Sequence, residues 1–212
     1  MRGLEAVIFD FDGVMVDSFR AIYGMFLGYF KVLKRPFMSE EEFKEKFSAD
    51  WKSFLRDLGK EHNTVVGISE EDKDKYVELL RDAPLASGIK ESILKLKSRS
   101  LKLAVVSTSV REVITEKLAA NGLHFDLIVS GYDLGISDKH TLLDHAIRQM
   151  NVNPKKCVYI GDMAEDIAAG KRVGVKTIAL TTGFHSPQRL KALNPDALLD
   201  HAASLYETIE RL

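Results

Sequence analysis

Five apolar runs punctuate the chain, at residues 4–9, 101–106, 125–129, 157–160 and 176–180. Each is continuous rather than alternating and rich in β-branched residues, the pattern of strands buried on both faces in a parallel sheet. Between the later runs, apolar positions recur at helical spacing: Ile89, Ile93 and Leu96, then Val113, Ile114 and Leu118, then Leu142, Leu143, Ala146, Ile147 and Met150. Gly122 follows the second of these as a C-cap and Pro154 follows the third. Strand and helix alternating over residues 87–181 predict an α/β, doubly wound, Rossmann-like parallel sheet.

Residues 17–84 break the alternation. Only helical periods appear there: Ile22, Met25, Phe26, Tyr29, Phe30 and Leu33, then Phe43 and Phe47, then Trp51, Phe54, Leu55 and Leu58, then Tyr76, Leu79 and Leu80. The pattern predicts a small all-helical domain over 17–84, inserted into a sheet domain formed by 1–16 and 85–212. Gly24 and Gly28 form a G-x-x-x-G pair in its first helix. The helix is amphipathic, so the spacing is read as helix packing rather than a membrane dimer.

Composition narrows the function classes. With 212 residues, 45% hydrophobic and 29% charged, the chain is long enough for a core without staples. A net charge of −1 and the absence of a block of like charges give nucleic acid or a membrane surface no electrostatic hold. The most apolar stretch, 6–16, is interrupted by Asp10 and Asp12 and is shorter than a spanning helix requires. One Cys, no signal-like leader and no N-x-S/T acceptor make a reducing cytoplasm the expected location, as a monomer or homodimer.

The chemistry lies where the strands end. The first run closes in Asp10-Phe11-Asp12-Gly13, and in open α/β sheets ligands gather outside the carboxyl ends of strands. A capping or turn role is the plain alternative, but two carboxylates beside an apolar core need a compensating cation. Ser107 and Thr108 end the second run, with a helix N-cap as the alternative for Ser107. Lys139 opens a helix, where a cation opposes the macrodipole, or is an ordinary surface lysine. Asp162 and Asp166 form G-D-x-x-x-D after Tyr159-Ile160, with an acidic N-cap as the alternative. Together an acid pair, a hydroxyl, a lysine and a second acid pair are the parts for phosphoryl transfer. Acids hold Mg2+, the metal and lysine neutralise phosphoryl oxygens, and a carboxylate acts as nucleophile.

In order and over essentially the whole chain, D-F-D-G-V-x-x-D-S, hydrophobic-S-T-S, Lys and G-D-x-x-x-D resemble the four motifs of the haloacid dehalogenase superfamily, and the helical insert resembles its C1 cap. The resemblance implies that Asp10 is the nucleophile and that Asp12 protonates the leaving alcohol, then activates water. It implies Mg2+ held by the Asp10 carboxylate, the Asp12 carbonyl and Asp162. Ser107, Thr108 and Lys139 would bind phosphoryl oxygens, and Asp166 would orient Lys139 or support the metal's ligands from behind.

Within that superfamily, the metal-free dehalogenases lack the second acid, which is present here as Asp12. No basic-glycine segment of the phosphonoacetaldehyde hydrolases is visible. The β-phosphoglucomutase branch carries a His four residues after the Ser of the first motif, where this chain has Ile22. The stretch from Val173 to Phe184 is similar to the phosphoglycolate phosphatase and pyrophosphatase-like branch, and Pro195-Asp196-Ala197 resembles the strand before its last helix. Departures are Ser-Thr-Ser for the usual Thr-Asn, and His140 after Lys139 for the usual Pro. The expected partner is therefore a small phosphorylated metabolite, with a sugar-phosphate mutase as the alternative. A phosphorylated receiver-type switch is the non-enzymatic one. Lys34, Arg35, Lys52 and Arg56 are candidate specificity residues of the cap. For Lys34 and Arg35, a cationic helix end stopped by Pro36 is the plainer reading. His140 and His185 are read as surface or packing residues, and Cys157 as structural.

Overall fold

In the computed structural model, which describes residues 3–32, 34, 36–48, 50–62 and 69–212, the apolar runs become parallel strands. After β1 (Ala6–Phe9) come four helices, α1 (Phe19–Val32), α2 (Glu40–Lys46), α3 (Trp51–Glu61) and α4 (Glu70–Asp82). Strand–helix alternation then sets in: α5 (Ile89–Lys97), β2 (Lys102–Ser107), α6 (Arg111–Ala120), β3 (Leu127–Ser130), α7 (Gly131–Leu134), α8 (Lys139–Met150) and β4 (Cys157–Gly161). The chain closes with α9 (Ala164–Val173), β5 (Lys176–Leu180), α10 (Pro187–Lys191), β6 (Ala197–Leu199) and α11 (Leu205–Arg211).

The sheet order is β3-β2-β1-β4-β5-β6, with every pairing parallel. This is the doubly wound arrangement, and its order reverses between β1 and β4. Register explains the continuous apolar runs. Val7, Phe9, Val105, Val158 and Ile160 face one apolar layer, while Ala6, Ile8, Ala104, Val106 and Tyr159 face the other. A strand covered on both sides has no polar face to alternate with.

The insert enters and leaves through paired segments: Asp17 N donates to Pro84 O at 2.9 Å and Ala86 N to Met15 O at 2.9 Å. Its interior is aromatic. Phe43 is fully buried and meets Phe19, Tyr23, Phe26, Phe37, Phe47 and Phe54 at centroid distances of 4.8–6.1 Å. Burying one such ring contributes roughly 1.5–3 kcal/mol. The apolar cluster runs without a break from these rings onto the sheet through Phe184, which stacks on Phe47 at 5.0 Å. No helix among the described residues is long and apolar enough to cross a membrane.

Two sequence readings change. Gly24 and Gly28 lie on the exposed side of α1, and a methyl group at either would meet no described atom within 4 Å, so the G-x-x-x-G spacing serves no helix packing within the described chain. Ser107 does not cap a helix: α6 begins at Arg111 behind Val110, because the chain runs on past the strand before it turns.

Candidate active site

Strand register brings the acids together. Phe9 pairs with Ile160 and Asp10 N donates to Ile160 O at 2.9 Å, so the residues that follow β1 and β4 emerge side by side at the switch point. Asp10, Asp162 and Asp166 offer carboxylate oxygens within 4.8 Å of one another, all buried. Lys139 enters from the amino end of α8. Its Nζ lies 2.6 Å from Asp10 Oδ2 and 3.1 Å from Asp166 Oδ1, with 5% of the side chain exposed. The surface-lysine alternative is thereby excluded, and the unfavourable macrodipole is outweighed by two carboxylates at contact distance.

Asp166 is held from three directions. Beside Lys139, the Tyr159 hydroxyl donates to Oδ1 at 2.8 Å and Met163 N donates to Oδ2 at 3.1 Å. Asp10 Oδ1 accepts from Phe11 N at 2.8 Å, and Asp162 Oδ2 accepts from Phe184 N at 2.6 Å. Asp162 Oδ1 is buried with no hydrogen-bond partner among the described residues. Gly13, at φ +71°, and Gly183 flank that carboxylate so closely that a Cβ at either would overlap it. Glycine is required at both positions by the close approach, and at Gly13 also by the left-handed turn.

Asp12 sits one turn on, where Ser109 Oγ donates to its Oδ2 and Tyr76 Oη of α4 lies 3.3 Å from the same Ser109 oxygen. Ser107 ends β2 on the strand beside β1, buried, with its Oγ accepting from Ser109 N at 3.0 Å; Thr108 follows it, partly exposed.

Charge balance in the cluster is lopsided, with four carboxyls against one ammonium. Burial pushes the Asp10 carboxyl up to about 7; Lys139 pulls it down and Asp166 adds to the rise. Burial likewise raises Asp12, against the Ser109 and Ser18 hydroxyls, and raises Asp162 well above its ordinary range, with Asp166 and Asp10 adding to the effect. Burial alone would lower Lys139, but Asp10 and Asp166 override it and hold the ammonium charged. With Asp10, Asp12 and Asp162 all resisting ionisation, the cluster is short of positive charge. Hard oxygen donors, with Asp12 Oδ1 and Asp162 Oδ1 both lacking a hydrogen-bond partner among the described residues, fit a divalent ion such as Mg2+.

The insert reaches the edge of this cluster, with Tyr76 Oη 3.3 Å from Ser109 Oγ and Ser48 Oγ donating to Glu165 Oε1 at 3.1 Å. A cleft of about 390 Å³ opens beside it, lined by Ser48, Asp50, Lys139, His140, Glu165 and Arg172. His185, read from sequence as a surface or packing residue, is fully buried between the two parts: Ala164 N donates to its Nδ1, and its Nε2 meets Phe47 O, both at 2.8 Å. Burial pushes its imidazole below the ordinary range, against Glu165 and with Arg189. Sequence reasoning also passed over Ser109, Tyr76 and Tyr159, whose partners are 33 residues away for Tyr76, 97 for Ser109 and 7 for Tyr159. For Ser109 the available signal was its place two residues beyond Ser107 at a strand end.

The structure does not bring the specificity candidates to the acids by any described contact. Lys34 is exposed in a left-handed turn, its N–H bonded to Lys31 O at 3.0 Å. Arg56 is exposed on α3 and engages Ser53 Oγ at 2.8 Å. Arg35 and the side chain of Lys52 lie outside the described residues.

Residues 7–180 match the haloacid dehalogenase-like hydrolase family. The chain belongs to that family. It is 26% identical over 211 residues to a phosphoglycolate phosphatase of Synechococcus elongatus, covering 99% of both, and 24% identical over 221 residues to a pyrophosphatase, PpaX, of Bacillus mycoides, covering 99% of this chain and 98% of that one. Its fold is similar to a solved haloacid dehalogenase-like hydrolase of Streptococcus pneumoniae (TM-score 0.79, 21% identity, 99% and 100% covered). It is similar too to a β-phosphoglucomutase of Clostridium difficile (TM-score 0.73, 21% identity, 98% and 96% covered). Membership of a hydrolase family answers the receiver-switch alternative: this is an enzyme fold with four helices inserted between β1 and α5.

Proposed function

We propose that the protein is a Mg2+-dependent phosphatase that hydrolyses a small phosphomonoester of the phosphoglycolate type. In this reading residues 17–84 act as the cap over a core of 1–16 and 85–212. The observation that carries it is the acid cluster gathered about the buried Lys139, with Asp162 Oδ1 lacking any partner among the described residues.

Asp10, the Asp12 carbonyl and Asp162 would hold the ion, which supplies charge neutralisation for the phosphoryl oxygens when bound. Lys139 and the Ser107 and Thr108 end of β2 orient those oxygens. An Asp10 carboxylate oxygen attacks phosphorus, and the bond from phosphorus to the leaving oxygen breaks. Asp12, whose burial favours its protonated form, gives that oxygen a proton. It then takes one from the water that attacks phosphorus, so that inorganic phosphate leaves and the Asp10 carboxylate is regenerated. Asp166 holds Lys139 in line throughout.

The similarity to the Synechococcus phosphatase supports a phosphomonoester over other hydrolase substrates, and the likeness to β-phosphoglucomutase keeps a mutase as the second reading. Ile22, where the mutase branch has His, is buried in the apolar cluster and cannot exchange protons. A panel with Mg2+ containing 2-phosphoglycolate, pyrophosphate and β-glucose 1-phosphate, read as kcat/KM, separates these readings. The proposal expects the highest value for a small phosphomonoester with release of inorganic phosphate. Conversion of β-glucose 1-phosphate to the 6-phosphate without phosphate release would overturn it.

A further inference from the structure

The cap helix α2 is finished in two different ways. At its amino end it caps itself: Ser39 Oγ accepts from Glu42 N at 3.2 Å and Glu42 Oε2 accepts from Ser39 N at 3.0 Å. The last carbonyls of a helix have no partner within it, and here the donors come from the core. Arg189 Nη1 on α10 reaches Glu45 O at 2.7 Å, Phe47 O at 2.9 Å and Lys44 O at 3.4 Å. His185 Nε2 reaches Phe47 O at 2.8 Å.

His185 has a second attachment. Its Nδ1 accepts from Ala164 N, an orphan donor in the first turn of α9, so Nδ1 carries no proton and Nε2–H is the donor to Phe47 O. One neutral imidazole thus joins the acceptor end of a cap helix to the donor end of the core helix that follows Asp162. The residue before it, Phe184, donates its backbone N–H to Asp162 Oδ2 and stacks its ring on Phe47. His185 N itself donates to Asp162 O at 3.3 Å. Beyond Phe47, Ser48 Oγ donates to Glu165 Oε1 at 3.1 Å, carrying the cap segment along the rim of the cleft that Lys139 lines.

We propose that Arg189 and His185 are positioning residues that clamp the carboxyl end of α2 to the core and, through Phe184, tie the placement of the cap to that of Asp162. Because the clamp donates to backbone carbonyls, it works whatever side chains the cap carries. It holds the covered state without touching substrate. Loosening it lowers the fraction of molecules with the cap in place, which raises the apparent KM while a bound substrate can still draw the cap down and preserve kcat. The kinetic part rests on the phosphatase reading; the exchange part does not.

The test is amide hydrogen exchange on full-length wild type, R189A, R189K, H185L and H185Q, paired with p-nitrophenyl phosphate kinetics in Mg2+. R189A should speed exchange at the amides of residues 43–48 by on the order of tenfold, as for loss of a charge-assisted hydrogen bond, and leave α8 unchanged. KM should rise by a similar factor and kcat by much less. R189K, a single point donor, should fall between R189A and wild type. H185Q, whose amide supplies one acceptor and one donor, should exchange more slowly over 43–48 than H185L. Unchanged exchange over 43–48 in R189A, or acceleration equal in α8, overturns the clamp. Should H185L fail to fold, R189A decides alone. Should no variant hydrolyse p-nitrophenyl phosphate, exchange still decides.

Discussion

The carboxyl end of the sheet and the helical insert above it are held by different physics. At the sheet end, backbone register sets the positions: Phe9 beside Ile160 places Asp10 beside Asp162 before any side chain interacts. The polar groups there are buried and repel one another, and Lys139 with its two short ion pairs makes their proximity tolerable. In the insert, position is set by interlocking aromatic rings around Phe43, which specify a shape and no particular charge. The lesson is a division of labour: precision comes from strands and one buried cation, coverage from apolar packing joined to the core by a few polar contacts.

The largest expected effect breaks the sheet end alone. Asp10→Asn should lower kcat by at least ~10³-fold with an unchanged circular dichroism spectrum, as for loss of a nucleophile. Activity within tenfold of wild type would remove Asp10 from that role. Next, Lys139→Met leaves buried carboxylates uncompensated and should cost about 3–5 kcal/mol in chemical denaturation with EDTA present. The sign with pH follows from Asp10, whose carboxyl already sits above its ordinary 3.8. Without the ammonium it rises further, and a group raised in the folded state costs stability once pH exceeds its unfolded value. The loss should therefore be larger at about pH 8 than at about pH 5. A loss independent of pH would contradict the charge argument.

Phe47→Ala reverses the attack, removing a ring shared by cap and core. It should cost about 3 kcal/mol of stability while leaving kcat for a small substrate within a few-fold of wild type. A thousandfold drop in kcat would mean that the two regions are not separable. Gly183→Ala pushes on the Asp162 carboxylate and should raise the Mg2+ concentration for half-maximal activity by about 10–100-fold, with recovery at high Mg2+. Smallest is a control on the sheet interior. Cys157 is buried with its thiol pushed up to about 11, so a thiol reagent at about pH 8 should label the native protein only after denaturant is added.

Much of the sheet was legible because strands buried on both faces leave long apolar runs, and each run at 4–9, 101–106 and 157–160 overlaps an observed strand. The insert's helices were legible from apolar residues at helical spacing, such as Ile22, Phe26 and Phe30 in α1, Phe54 and Leu58 in α3, and Tyr76, Leu79 and Leu80 in α4. The four motif positions stood out because polar residues directly after such runs are conspicuous. What the sequence hid was reach. Nothing local says that Lys139 turns inward rather than to solvent, that Tyr159 points its hydroxyl at Asp166, or that Ser109 finds Asp12 across 97 residues. His185 was passed over for the same reason: its partners are a backbone amide and a backbone carbonyl, which have no sequence signature. Gly24 and Gly28 show the converse, a recognisable spacing that meets no neighbour among the described residues.

The most direct test of the central claim is to acid-quench the enzyme during turnover of a small phosphomonoester with Mg2+ and map the phosphorylated peptide by mass spectrometry. The account predicts a phosphoryl group on Asp10 in the wild-type protein and none in Asp10→Asn. Phosphate turnover with a modified residue other than Asp10 would contradict it, as would sustained turnover by Asp10→Asn.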